Sequence, residues 1–169
     1  MSLIVVRTAA LSDAQAISGI YSEAIAARDS TMHLDPFSVA DATEMLQGLL
    51  PRESIYVAES ERNVLGWGIV KLYSARPGYR VACETSVYVR RDSTGKGIGS
   101  SIQTSLMERA RSDGFHHIVT RIWAANEGSI KFHQRVGFTL VGIQNEIGEV
   151  DGKKKDIAVM QCLLEGDQS

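Results

Sequence analysis

The stretch from Glu84 to Ser101, ETSVYVRRDSTGKGIGSS, constrains this chain more than any other, because an alternating strand runs into a glycine loop and then directly into an amphipathic helix. Such a junction can hold a phosphate group. Gly95, Gly97 and Gly99 leave backbone N–H groups uncovered by side chains, and the first turn of the helix adds unpaired donors at the positive end of its dipole. Among phosphate motifs, a Walker A loop needs GxxxxGK[ST], which the sequence lacks. A dinucleotide fingerprint needs glycine where Ser100 stands, and it belongs in the first βα unit with an acidic residue about 20 positions later. Taken alone, the glycines also fit a tight turn with no ligand.

The 169 residues fit one domain, residues 1–169, large enough to bury about 70% of its unfolded surface. With 18 Lys plus Arg against 20 Asp plus Glu, the formal charge of −2 provides no basic field for nucleic acid or an anionic membrane, so a phosphate must be gripped locally. Cys83 and Cys162 show no metal-site spacing and read as free buried thiols in a reducing cytoplasm. His116 and His117 are adjacent on a strand and face opposite ways, so no metal is expected. The N-terminal MSLIVVRTAA lacks the pattern of an export signal, and no run approaches the roughly 20 apolar residues that cross a bilayer. A soluble cytoplasmic protein is expected.

Leu3 to Thr8 reads as a strand, and Ser12 with Gln15 reads as a capping box before a helix carrying Ile17, Ile20, Tyr21, Ala24 and Ile25. Ser38 opens a second helix through Leu50, closed by Pro51. A hairpin follows over 55–72, in which Gly66 and Gly68 flank Trp67 and signal a bulge or a close backbone approach compatible with a cleft. A Pro77-Gly78 turn leads into a long strand over 80–90, and after the glycine loop Ile98, Ile102, Leu106 and Ala110 define a helix ended by Gly114. A strand over 115–124, a short helix over 126–136 and a hairpin turning at Asp151-Gly152 complete the order β, α, α, β, β, β, α, β, α, β, β. This is one α/β domain with a mixed sheet.

The glycine loop, the strand before it and the helix after next together resemble the GCN5-related N-acetyltransferase (GNAT) family. That family carries [RQ]-x-x-G-x-[GA] around the pyrophosphate of acetyl-CoA; Gly97 and Gly99 match its small positions, and Thr94 stands where Arg or Gln is usual. NEGSIKFHQRVGF, from Asn126 to Phe138, resembles its second signature. IYSEAIA, LGWGIV, ARPGYR, ETSVYVR and GEVDGKKKDIAVMQ are similar to the phosphinothricin and methionine sulfoximine acetyltransferase branch, which acetylates the amino group of small amino acids. One departure is visible: Asp151 and Lys154 occupy positions where that branch has an aromatic pair.

The resemblance implies a GNAT fold with a mostly antiparallel central sheet flanked by helices, a homodimer, and acetyl-CoA as co-substrate with no metal. It implies coenzyme contacts from Val87, Tyr88 and Val89, from Thr94, Gly95, Lys96, Gly97, Ile98, Gly99 and Ser100, and from Asn126 and Ser129. Backbone amides of Val87 and Val89 would polarise the thioester and pair with the pantetheine arm. It assigns Arg28, Thr31, Trp67, Tyr79 and Glu84 to the acceptor pocket, with Asp29 beside them, and makes Glu84 the general base. Strand alternation puts Glu84, Ser86 and Tyr88 on one face and Thr85, Val87 and Val89 on the other, with Cys83 opposite Glu84 as a core thiol. Two readings of His133 stand: a proton donor to the departing thiolate, or a surface residue at a helix C-terminus. Lys153, Lys154 and Lys155 read as a solvated hairpin tip, or as an attractor for a carboxylate or the coenzyme phosphate. The expected activity is acetyl transfer to the primary amine of a small amino acid or analogue. The alternatives are a polyamine, peptide N-terminus or aminoglycoside as acceptor, a non-catalytic acyl-CoA sensor, or a nucleotide-binding redox domain.

Overall fold

The computed structural model describes residues 2–165. Its elements follow the expected order: β1 (Val5–Thr8), α1 (Ala14–Ala27), α2 (Val39–Gln47), β2 (Ser54–Ser60), β3 (Asn63–Leu72), β4 (Ala82–Val89), α3 (Ile98–Ser112), β5 (His117–Trp123), α4 (Glu127–Arg135), β6 (Thr139–Val150) and β7 (Lys153–Leu163). The strands form one seven-stranded sheet in the order β1-β2-β3-β4-β5-β7-β6. Every pairing is antiparallel except that of β4 with β5.

Each sheet face carries its own core. On one side, Ile98, Ile102, Leu106 and Ala110 of α3 are at most 1% exposed and pack with Val70, Cys83, Ile118 and Met160. Here Gly66 and Gly68 find their reason. A Cβ on Gly68 would lie 2.7 Å from Ile102 and 2.8 Å from Leu106, and one on Gly66 would lie 3.0 Å from Ile102. These glycines let α3 settle on β3, so the close approach is made by a helix and the expected link to a cleft is not needed; the bulge in this hairpin falls instead between Ala58 and Glu59. On the other side α1 and α2 cover Ile55, Val57, Trp67 and Ile69.

The start of α1 departs from the sequence reading. Asp13, and not Ser12 with Gln15, organises it: the Asp13 carboxylate accepts from the Ala10 N–H at 2.7 Å and pairs with Arg7 at 2.8 Å. A carboxylate takes both a backbone donor and a guanidinium, which a serine hydroxyl cannot match. α2 behaves as expected, with Asp41 N–H donating to Ser38 Oγ at 3.0 Å and Ser38 N–H donating to Asp41 Oδ2 at 2.8 Å. It ends at Gln47, before Leu49 and Leu50.

Candidate active site

The parallel pair β4 and β5 builds the site by coming apart. Ala82, Cys83 and Glu84 pair with His117, Ile118 and Val119, and the ladder stops there, whereas β4 stays paired with β3 as far as Val89. At the fork, Thr120 donates its hydroxyl to the Thr85 carbonyl at 3.1 Å, closing the base of the gap. The Arg90 N–H donates to Leu65 on β3 while the Thr85 carbonyl faces β5, so alternation turns the backbone groups of Val87 and Val89 into the gap. They are free to hold an extended ligand as a further strand would.

The gap widens into a cleft of about 830 Å³, within the range of small-molecule sites. Val87, Tyr88 and Val89 form one wall and Asn126 and Ser129 another; Thr94, Gly95, Gly97, Ile98, Gly99 and Ser100 form the end, and Arg28 lies at the rim. Gly95 and Gly97 have φ of +75° and +77°, with open space where a Cβ would stand, and α3 begins with no side-chain cap. An uncapped helix start with open space before it is what a phosphate needs. Acetyl-CoA therefore fits: a pantetheine-like arm along β4, a pyrophosphate at α3. Asn126 accepts from the Ser129 N–H at 3.1 Å through its side-chain oxygen, capping α4 and leaving its amide N–H₂ toward other partners.

Other cleft residues carried no sequence signal. Trp123, Phe132 and Arg135 line it, and Arg91 is held beside it by two bonds to Asp29, of 2.9 and 2.5 Å. The Arg91 guanidinium holds the Asp29 carboxyl below the usual carboxylate range. This pair ties the loop after α1 to the turn before the glycine loop. Of the lysine run, Lys155 turns inward, its Nζ 5.2 Å from the Trp123 ring, while Lys154 pairs with Glu149 at 2.6 Å on the surface. Arg28 reaches Asp151 at 3.4 Å, so the hairpin tip touches the loop after α1.

Several expected residues lie outside the cleft walls, Glu84 among them. Lys96 points its Nζ to the Asp92 carbonyl at 3.5 Å. Thr31 is buried against the Tyr21 hydroxyl at 3.0 Å, and Trp67 is 2% exposed among Tyr21 and Tyr88. Burial and the Tyr21 contact push the Tyr88 hydroxyl well above its ordinary value. Tyr79 is exposed and packs edge-on against Tyr73, ring centroids 5.2 Å apart. Cys83 is a core thiol, its pKa pushed up to about 12 by burial.

His133 matches neither of its readings. It is 4% exposed, packed against Phe132 and Phe138, and burial pushes its pKa down to about 4. Its Nδ1 lies 2.8 Å from the Ser129 carbonyl, which only accepts, so Nδ1 carries the proton and the buried Nε2 keeps a lone pair. A neutral imidazole in that tautomer accepts hydrogen bonds at Nε2; it has no proton to donate there.

Glu84 stands at the fork, on the face opposite Cys83. Its carboxylate is ion-paired with Arg121 of β5, its neighbour across β3 is Lys71, and Arg121 lies 6.0 Å from the Tyr73 ring centroid. Sequence reasoning missed Arg121, since nothing local in RIWAAN announces that β5 lies beside β4.

A splayed parallel pair, exposed β4 backbone and an uncapped glycine-led helix are joined by a sequence match: residues 6–159 fit the acetyltransferase (GNAT) domain. The chain belongs to the GNAT acetyltransferases. It is 31% identical to the L-methionine sulfoximine/L-methionine sulfone acetyltransferase of Pseudomonas aeruginosa, covering 97% of this chain and 96% of that one. It is 30% identical to the phosphinothricin N-acetyltransferase of Streptomyces coelicolor over 90% and 92% of the two chains. The crystal structure of a GNAT superfamily phosphinothricin acetyltransferase from Sinorhizobium meliloti in complex with AcCoA superimposes with a TM-score of 0.89 at 30% identity, covering all of this chain and 92% of that one. This GNAT chain is an N-acetyltransferase with acetyl-CoA as co-substrate. Among the described residues no cluster of His, Cys, Asp or Glu is placed to hold a metal, and no helix is long and apolar enough to cross a membrane.

Proposed function

We propose that this enzyme, acting as one domain over residues 1–169, acetylates the primary amine of a small amino acid or analogue of the phosphinothricin, methionine sulfoximine or methionine sulfone type. The observation that carries the reading is the position of Glu84: the last residue of β4 to pair with β5, beside the point where Val87 and Val89 turn their backbone into the cleft. A base there meets an incoming amine where a thioester laid along β4 would end. The names of the relatives point to the same acceptor class.

Acetyl-CoA supplies an activated acyl thioester. Glu84 takes one proton from the acceptor ammonium and passes it to water. The freed nitrogen bonds the carbonyl carbon as the C–S bond breaks, while the amide of Val87 or Val89 meets the charge growing on the carbonyl oxygen. Forming the amide releases a second proton from nitrogen, and the departing thiolate takes one up. A thiol of ordinary pKa, about 8.5, leaves with little help, so the lack of a donor proton on His133 Nε2 is no obstacle.

The coenzyme contacts assigned to the glycine loop, Asn126 and Ser129 belong to this proposal. So do a cytoplasmic setting, consistent with two buried free thiols, and a homodimer, since β6 leaves Leu140, Val141, Ile143 and Ile147 exposed on an edge strand that a second copy would cover. Acetyl-CoA consumption screened over free amino acids, polyamines, aminoglycosides and peptides tests the acceptor class. A clear preference for small free amino acids supports it, and a preference for any of the others sinks it.

A further inference from the structure

Glu84 does not wait alone for its substrate. Its carboxylate is already held by Arg121, and Lys71 lies across from it on β3, so one anion sits between two cations on a patch that also carries Tyr73 and Tyr79. Both members of the pair reach solvent, with side chains 32% and 45% exposed, so an acceptor can reach them. An amine that approaches Glu84 finds the Arg121 guanidinium already seated on the same carboxylate. Something must open the pair before Glu84 can work.

We infer that the opener is the acceptor's own α-carboxylate: Arg121 is the residue that selects α-amino acids, exchanging Glu84 for the carboxylate of the substrate while Glu84 receives the substrate's ammonium. This rests on the reading of Glu84 as the base. The exchange leaves no charge unpaired, since one pair becomes two around a zwitterion whose opposite charges sit on groups attached to one carbon. The guanidinium matches the carboxylate with two parallel N–H donors. A simple amine, a polyamine or an aminoglycoside brings an ammonium but no anion; it would leave Arg121 on Glu84 and add positive charge beside Arg121 and Lys71. The pair thus acts as a gate that a zwitterion opens and a bare cation does not.

The test uses methionine sulfone and its α-carboxamide, which share the amine and side chain and differ in the anion, with wild type, Arg121→Gln and Arg121→Lys. Comparing each variant with wild type for the same acceptor cancels the different basicities of the two amines. Loss of a charged hydrogen-bonded contact should raise KM for methionine sulfone about ten- to hundredfold in Arg121→Gln, with partial recovery in Arg121→Lys. The carboxamide, which leaves the pair closed, should be a poor acceptor of wild type whose kcat/KM holds or rises in Arg121→Gln, where nothing competes for Glu84, and coenzyme A titration should match wild type, showing the variants folded. Equal shifts for both acceptors, or no shift for either, would overturn the role of Arg121 while leaving acetyl transfer intact. Transfer by wild type to neither acceptor would sink the small amino acid reading and this inference with it.

Discussion

The two sides of the fork are made of different material. The side proposed for the coenzyme is backbone: N–H groups at the start of α3, a glycine loop with positive φ, and the strand edge at Val87 and Val89. The side proposed for the acceptor is side chains, Lys71, Glu84 and Arg121, brought together from three strands. Main-chain donors do the same work whatever sequence surrounds them, so long as nothing covers them. Charged side chains can be exchanged singly, and each exchange changes what is accepted. One half of the molecule is therefore suited to a constant ligand and the other to a variable one.

That division can be broken by mutation. The largest effect belongs to Glu84→Gln, which keeps the shape but cannot take a proton. Turnover should fall about 10²- to 10⁴-fold, with partial recovery at high pH where more of the amine arrives deprotonated. Steady-state rates across pH measure both, and wild-type turnover at neutral pH would remove Glu84 as the base.

On the coenzyme side His133 should matter for stability and not for proton transfer. Its folded pKa of about 4 lies below the ordinary 6.5, so between those values the unfolded chain binds the extra proton. Stability is then fully present above about pH 6.5 and lost as pH falls toward 4, by up to about 3 kcal/mol. Urea unfolding at pH 7 and pH 4.5 should show this loss in wild type and less of it in His133→Gln. An equal loss in both would place the titrating group elsewhere.

Smaller still, Gly97→Val should weaken coenzyme A binding by well over tenfold in calorimetry, through covered donors and strain at φ +77°. Gly99→Ala should cost much less, because its Cβ would meet Phe132 and Val89 at an ordinary 3.7 Å. Equal losses would mean that the loop acts through steric bulk alone. Within the last hairpin, Lys155→Gln should weaken coenzyme binding a few-fold, with the gap shrinking in salt, whereas Lys154→Gln should stay near wild type because its partner Glu149 is exposed.

The same division explains what could be read from the sequence. Strands, helices and the glycine loop were legible because they are local: the four-residue repeat from Ile98 to Ala110 is the buried face of α3, and Asp151-Gly152 is the turn with φ of +51° and +75°. The equivalent turn at Glu61 and Arg62, φ +50° and +66°, has no such residues, and it was legible through the strands on either side. Arg121 was not legible, since its meaning depends on β5 lying parallel beside β4, a pairing made across 35 residues of chain. Burial was equally hidden for His133, whose neighbours Phe132 and Phe138 close over it only once α4 has docked.

Coenzyme A titration of Glu84→Gln by calorimetry tests the separation of the two sides most directly. Affinity within about twofold of wild type, in a variant whose turnover has collapsed, is the result this account requires. A matching loss of coenzyme affinity would contradict it, because Glu84 would then belong to the architecture of the cleft and not to the chemistry at its fork.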